Sequence, residues 1–125
     1  MVGPMPAQFI KQMRGAGFKK PIIGGGTSYD EFVLPFMGDE AIGDVSALHY
    51  SAALDTPKNI EFVKAYRAKF GKVPSYYSEN NYTTAQWLDE ALKKAGGKWP
   101  GPEELIKLMV SIKLDSVRGP VSLDD

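Results

Sequence analysis

The first stretch of the chain has the apolar spacing of an amphipathic helix. Ala7, Ile10 and Met13 follow Pro6 at intervals of three, which places their side chains on one helical face. Gly15 comes soon after the last apolar position, and glycine there is a stop signal. The pattern predicts a helix that ends at about Gly15.

Two short apolar runs have the features of strands. Two isoleucines and then three glycines occupy positions 22–26, which predicts a buried strand followed by a glycine turn. Ser28 and Glu31 have the spacing of a capping box, so we predict that the next helix begins at Ser28. Residues 44–50 contain the second predicted strand, with mixed polar and apolar faces.

From residue 56 onward the pattern is largely helical. Thr56 before Pro57 supplies a capping hydroxyl and a proline at the first helical position, Ser75 can cap a second helix, and Pro102 begins a third. The apolar positions assigned to these helices are Ile60, Val63, Tyr66 and Phe70; Tyr82, Ala85, Leu88, Leu92 and Ala95; and Leu105, Leu108, Met109 and Ile112. The tail after residue 116 is predicted to form a turn and the start of a strand.

This order of elements is α/β in class, but it is poor in strands and rich in helices. Two or three short strands leave sheet edges unpaired and apolar faces uncovered. We therefore expect the missing strands to come from elsewhere, and a second copy of the chain could supply them by strand or lobe exchange. The sequence thus predicts a homo-oligomer.

Composition and charge exclude several function classes. The chain has 125 residues, 43% of them apolar and 24% charged, with 15 basic against 15 acidic side chains and no cysteine. The balanced charge gives no sign of nucleic-acid binding. Disulfides, thiolate zinc sites and a cysteine nucleophile are excluded, and a single histidine cannot form a histidine-rich metal site. We expect no metal, no cofactor and no catalytic residues.

The most informative local feature is the glycine turn at residues 24–28. Gly25 and Gly26 offer backbone N–H groups, and Thr27 and Ser28 add two hydroxyls, a set suited to a carboxylate or a phosphate if a helix begins there. The alternative is a plain tight turn with an N-cap. A phosphate ligand would make the chain an α/β enzyme or nucleotide-binding domain, but Tyr29 stands where a dinucleotide fingerprint requires glycine.

Four segments, taken in order, carry a resemblance to a known family. They are FIKQMRGAGFKKPIIGGG at residues 9–26, GDEAIG at 38–43, FVKAYRAKFGKVPSYY at 62–77 and RGPV at 118–121. Together they resemble the C-terminal part of periplasmic solute-binding proteins of ABC transporters, in the leucine/isoleucine/valine receptor family. The resemblance covers nearly the whole chain.

The resemblance implies an incomplete periplasmic-binding-protein type I fold, with Rossmann-like lobes that close like a clamshell. On that template residues 1–48 are part of the second lobe, 49–56 a hinge crossing that begins with His49 and Tyr50, 57–113 the helical part of the first lobe, and 114–125 the start of the last crossing. The family pattern is longer at both ends. No export signal precedes the first helix, so the periplasmic location is an expectation for the intact family.

The resemblance also implies a ligand and a partner. Amino-acid-binding relatives carry an acidic residue in the glycine turn, whereas Gly26 and Thr27 stand here and no carboxylate follows until Asp30. This favours a carboxylate-bearing ligand without an amine, possibly aromatic, over leucine. Tyr76 and Tyr77 fall near the expected cleft, where they would either cover the ligand or pack between helices. The expected partner is an ABC permease, and the expected activity is binding rather than catalysis.

Overall fold

This computed structural model describes residues 4–124, which contain four α-helices, four three-residue strands and three short turns of 3-10 helix. The elements are α1 (Met5–Gly15), β1 (Ile23–Gly25), β2 (Val45–Ala47), α2 (Pro57–Phe70), α3 (Tyr76–Lys94), α4 (Pro102–Val110), β3 (Leu114–Ser116) and β4 (Gly119–Val121). All four helices expected outside residues 28–43 are confirmed. Residues 1–3 and 125, which fall in the first and last predicted segments, lie outside the described residues.

The strands form two separate sheets of two strands each within the described part. β1 and β2 are parallel, with Ile23 opposite Val45, and β3 and β4 form an antiparallel hairpin. Ile23 is 84% exposed and Val45 is 55% exposed. The prediction of a buried strand is therefore wrong, because no described residue covers this face, and the strand also extends into Gly24 and Gly25.

The helix predicted from Ser28 does not form. Residues 26–28 and 34–36 are single turns of 3-10 helix separated by bends. Asp30 takes the capping role instead, since its Oδ1 accepts hydrogen bonds from the backbone N–H groups of Phe32 and Val33. Pro35 then lacks the N–H that a continuing helix would use.

The start and end of α2 follow the sequence signals. The Thr56 Oγ1 accepts a hydrogen bond from the Asn59 N–H at 3.2 Å, which satisfies one of the free donors of the first turn. Gly71 ends the helix with φ at 68°, a left-handed conformation that glycine adopts without strain. Both predictions are confirmed.

Two small apolar clusters hold the helices in place. Tyr50, Phe62 and Val117 form the first, which joins α2 to the segment before it and to the β3–β4 turn. The second consists of Trp87, Ala91 and Ile112, against which the predicted apolar face of α4 packs. The predicted stripe of α2 is partly wrong, because Phe62 is buried while Ile60 and Phe70 are more than half exposed.

The architecture is α/β, helix-rich and strand-poor, as the sequence predicts. Within residues 4–124 no helix combines the length and apolar content needed to span a bilayer. The same residues contain no group of three histidine or acidic side chains placed to hold a metal ion.

Candidate functional site

The glycine turn is packed tightly against the end of β2. A Cβ atom added to Gly26 would overlap the Leu48 side chain and lie 2.7 Å from the Ala47 carbonyl oxygen. Only glycine fits there, so the backbone of this turn lies directly on residues 47–48. Ser28 is buried, Thr27 is half-buried, and Gly25 is exposed with open space around it.

The turn lacks the helix that would make it a strong anion site. Residues 26–28 form one turn of 3-10 helix, and so short an element has no substantial macrodipole. The expected helix N-terminus is therefore absent, and anion binding by Gly25, Gly26, Thr27 and Ser28 stays a prediction. What they retain is a close-packed backbone with polar groups.

Asp30, two residues beyond the turn, is the first carboxylate of this region and is only 3% exposed. Its Oδ1 is engaged by Phe32 and Val33, whereas its Oδ2 has no hydrogen-bond partner among residues 4–124. Burial raises the pKa of Asp30, although the two backbone hydrogen bonds act in the opposite direction. A buried carboxyl with one unused oxygen is therefore held in a fixed orientation.

Tyr76 and Tyr77 form an aromatic pair at the start of α3. Their ring centroids are 4.0 Å apart, and the Tyr76 ring meets the His49 ring edge-on at 5.9 Å. Burial raises the pKa of Tyr76 to about 12, with further contributions from Tyr77 and from the Asp30 carboxylate.

The predicted hinge residue His49 lies where three chain segments meet. Its Nε2 is 3.1 Å from the Asn80 Oδ1 and 3.7 Å from the Glu79 Oε2. The Arg118 guanidinium, from the turn between β3 and β4, donates to the same two oxygens at 3.2 Å and 3.1 Å. Glu79 is completely buried and also accepts a hydrogen bond from the Thr83 hydroxyl at 2.5 Å.

Tyr50, the second predicted hinge residue, is buried at the centre of the same region. Burial raises the pKa of its hydroxyl, as do the nearby carboxylates of Glu31 and Glu79. Glu31 does not complete a capping box with Ser28; its Oε1 accepts hydrogen bonds from the Ser51 hydroxyl at 2.9 Å and the Ala52 N–H at 2.6 Å. The loop that carries Asp30 is thus tied to the crossing segment.

Sequence reasoning missed four residues of this region: Asp30 as a buried carboxyl of the site, Glu31 as an anchor of the crossing, and Glu79 and Arg118 as an ion pair. Glu31 carried a local signal, but it was the signal for a helix cap. Arg118 lies 39 positions from Glu79 and 38 positions from Asn80, so no local pattern identifies the pair.

A large groove lies elsewhere in the described residues, between α2 and α3. It has a volume of about 650 Å³ and is lined by Phe62, Tyr66, Phe70 and Tyr82 among others. Tyr82 stacks on Phe62 with centroids 4.7 Å apart, and the Trp87 indole donates to the Met109 carbonyl. The Tyr82 and Trp87 side chains therefore pack between elements of the structure.

Solved and curated proteins resemble this chain over nearly its whole length. A solute-binding protein of an ABC transporter from Rhodopseudomonas palustris, in complex with 3,4-dihydroxybenzoic acid, is 38% identical with a TM-score of 0.88 and covers 99% of this chain. Another from the same species, in complex with benzoate, is 29% identical with a TM-score of 0.89 and also covers 99%. The Leu/Ile/Val-binding protein homolog 6 of Brucella melitensis is 28% identical over 127 residues, or 98% of this chain.

The chain spans about a third of the length of these relatives: 35% and 34% of the two solved proteins and 32% of the Brucella protein. The solved relatives are ABC solute-binding proteins of the type I periplasmic fold. A family model described as periplasmic binding protein matches residues 1–125. Because that match covers the whole chain, the protein belongs to the periplasmic binding protein family of solute-binding transport components.

Proposed function

We propose that this chain is part of a periplasmic receptor that binds an aromatic carboxylate and delivers it to an ABC permease. The observation that carries the proposal is the meeting of two distant segments, residues 25–30 and the Tyr76–Tyr77 pair at the start of α3. Glu31 binds Ser51 and Ala52, and the His49 ring of the same crossing segment contacts the Tyr76 ring. Binding sites of small molecules combine apolar or aromatic walls with a few placed polar groups.

The aromatic pair supports an aromatic ligand over an aliphatic one. Tyr77 is half-exposed and its ring lies against that of Tyr76, so a further ring could stack there. The two solved relatives described above carry 3,4-dihydroxybenzoic acid and benzoate. An amino acid is the competing ligand, as in the leucine/isoleucine/valine receptors.

The anion-binding part of the proposal rests on the start of α3 together with the turn. α3 is 19 residues long, and its N-cap residue Ser75 makes no side-chain capping bond. The free N–H groups and the dipole of such a helix end favour a negative charge. We propose that these groups, with the polar atoms of Gly25, Gly26, Thr27 and Ser28, receive the ligand carboxylate.

The division of the chain into lobes is part of the same proposal. Residues 1–48 would belong to the second lobe, 49–56 to a hinge crossing, 57–113 to the first lobe and 114–125 to the start of the last crossing. The separate sheets β1–β2 and β3–β4 support this division. The contacts of His49 and Arg118 with α3 support a junction between segments at residues 49 and 118.

The alternative reading, an α/β enzyme or nucleotide-binding domain that uses the Gly24–Ser28 turn as an anion site, has less support. It needs an α-helix after the turn, and residues 26–28 form a single 3-10 turn. Polar and charged groups of the region are engaged in hydrogen bonds between segments rather than grouped as a nucleophile and a base.

We also propose that the isolated chain self-associates. Ile23 and Val45 expose one face of the β1–β2 pair, and Phe70 and Tyr82 are exposed along the α2–α3 groove. Contiguous apolar surface of this kind favours association. Light scattering coupled to gel filtration would give a dimer or larger species, and a stable monomer would overturn the expectation.

The ligand proposal is tested by heteronuclear NMR titration of the chain with benzoate, 4-hydroxybenzoate and leucine at millimolar concentrations. We expect the aromatic acids to shift resonances of residues 25–30 and 76–77 and leucine to bind more weakly. Substituting Tyr77→Ala should weaken benzoate binding about tenfold, because stacking between rings contributes roughly 0.5–1.5 kcal/mol beyond area burial.

Trp99→Ala provides the matched control for the Tyr77 variant. Trp99 is an exposed aromatic residue in the loop before α4, so its removal should leave the affinity unchanged. Tighter binding of leucine than of either aromatic acid would contradict the proposed ligand class.

A further inference from the structure

We propose that the buried carboxyl of Asp30 selects aromatic acids that carry a ring hydroxyl. This role rests on the function proposed above and names a residue for ligand specificity within it. Asp30 lies two residues beyond the glycine turn and is 3% exposed, and its Oδ2 has no hydrogen-bond partner among residues 4–124.

The two oxygens of this carboxyl have different surroundings. Oδ1 accepts from the Phe32 N–H at 3.1 Å and from the Val33 N–H at 3.2 Å. These bonds fix the carboxyl plane, so Oδ2 has a defined direction and keeps its full capacity to bind. Leaving a buried carboxyl oxygen without a hydrogen bond is costly, and a ligand group that bonds to it would recover that cost.

The position of Asp30 makes it available to a ligand at the candidate site. The loop that carries Asp30 is bound to the crossing segment, because the neighbouring Glu31 carboxylate accepts hydrogen bonds from Ser51 and Ala52. His49 of that segment contacts the Tyr76 ring, which also lies against Tyr77. A ring stacked on the tyrosine pair would therefore lie on the side of the site to which the Asp30 loop is bound.

A hydroxyl suits this carboxyl better than an ammonium group. Bringing an ammonium group to a buried carboxyl removes a full charge from water, whereas a hydroxyl is neutral and loses less hydration. A ring hydroxyl can donate one hydrogen bond to Oδ2. The solved relative with 38% identity carries an acid with two ring hydroxyls.

The role of Asp30 can be measured by comparing the affinities of two aromatic acids that differ only in a ring hydroxyl. A hydrogen bond to a charged group contributes enough for about a tenfold difference in affinity. We expect the 125-residue chain to bind 4-hydroxybenzoate and 3,4-dihydroxybenzoate about tenfold more tightly than benzoate in NMR titrations.

The variant Asp30→Asn keeps an oxygen in the place of Oδ1 and puts an amide NH2, which cannot accept, in the place of Oδ2. We expect the hydroxyl preference to fall by about tenfold while the affinity for benzoate changes little. Asp124→Asn, which alters an exposed carboxylate, is the matched control and should keep the full preference.

The outcomes separate this inference from the proposed function. Equal affinities of the unsubstituted chain for benzoate and 4-hydroxybenzoate would overturn the role of Asp30 and leave an aromatic-acid receptor standing. An unchanged hydroxyl preference in a folded Asp30→Asn chain would do the same. Tighter binding of leucine, or no binding of any of the acids, would overturn both. The comparison within the unsubstituted chain decides the question even if the variant does not fold.

Discussion

The Arg118 guanidinium and the fully buried Glu79 carboxylate form an ion pair at 3.1 Å between the β3–β4 turn and the first turns of α3. Glu79 lies one helical turn after Tyr76, and the Oδ1 of its neighbour Asn80 accepts a hydrogen bond from Arg118 and lies 3.1 Å from the His49 Nε2. One buried acidic position therefore joins the crossing segment, α3 and the tail. The geometry of the candidate site depends on this junction.

Removal of the Glu79 carboxylate should destabilise the chain strongly. We expect Glu79→Ala to lower the free energy of unfolding by about 3 kcal/mol, because it leaves a partly buried arginine without its counter-charge. Glu104→Ala is the control, since Glu104 is exposed and reaches Lys107 only at 4.0 Å; its effect should stay within about 0.5 kcal/mol. Urea denaturation of both variants measures the difference, and equal effects would contradict the junction.

Removing the N-cap hydroxyl should affect stability more at α2 than at α3, because Thr56 makes a side-chain capping bond and Ser75 makes none. Thr56→Ala removes the bond to the Asn59 N–H and also the bond that its hydroxyl donates to the Val117 carbonyl at 2.9 Å. We expect a loss of about 1–2 kcal/mol in thermal or urea unfolding. Ser75→Ala removes no capping bond and should cost less than about 0.5 kcal/mol. A larger loss at Ser75 than at Thr56 would refute this assignment.

Replacing Gly71 or Gly15 by alanine should change the stability of the chain in opposite directions. Gly71 has φ at 68°, so Gly71→Ala should destabilise the chain by about 1 kcal/mol through backbone strain. Gly15, the last residue of α1, has no atom within 4 Å of a built Cβ and no positive φ. Gly15→Ala should be neutral or stabilise by about 0.5 kcal/mol because it reduces the freedom of the unfolded chain. Melting temperatures of the two variants should shift in opposite directions.

Asp44 should make the stability of the chain fall in acid. Burial by itself would raise its pKa, but hydrogen bonds from the Ile22 N–H, the Tyr29 hydroxyl and the Arg14 guanidinium outweigh burial and lower it. A lowered folded-state pKa gives stability that is present above the unfolded value, about 3.9, and is lost as the pH falls from there through the folded value.

The variant Asp44→Asn should lose this acid dependence below about pH 4. Asp30 provides a comparison of opposite sign, because burial raises its pKa. Its ionisation then costs stability that builds up as the pH rises from the unfolded value through the folded one. Compared with the unsubstituted chain, the Asp30→Asn variant should therefore gain stability at neutral pH but not in acid. Urea midpoints measured from pH 3 to pH 7 would reveal either pattern, and parallel curves for the two variants would contradict both assignments.

The sequence by itself determined the helices after residue 56, because their signals are local. Thr56 and Gly71 act through the backbone of their own neighbours, so their roles can be derived from spacing alone. The family resemblance also came from ordered local segments. The same reasoning failed at Ser28, because Asp30 instead accepts hydrogen bonds from the Phe32 and Val33 N–H groups and Pro35 prevents a longer helix.

Only the tertiary structure decided which polar groups meet. Glu31 was assigned to a local cap, yet its carboxylate binds Ser51 and Ala52, 20 and 21 positions away. Glu79 and Arg118 come together because packing around Tyr50, Phe62 and Val117 brings distant segments of the chain into contact. Helix caps depend on neighbours within four residues, whereas ion pairs and ligand sites depend on tertiary contacts between distant segments. For that reason the helices could be predicted from the sequence, whereas the partners of the charged side chains are determined only by the tertiary structure.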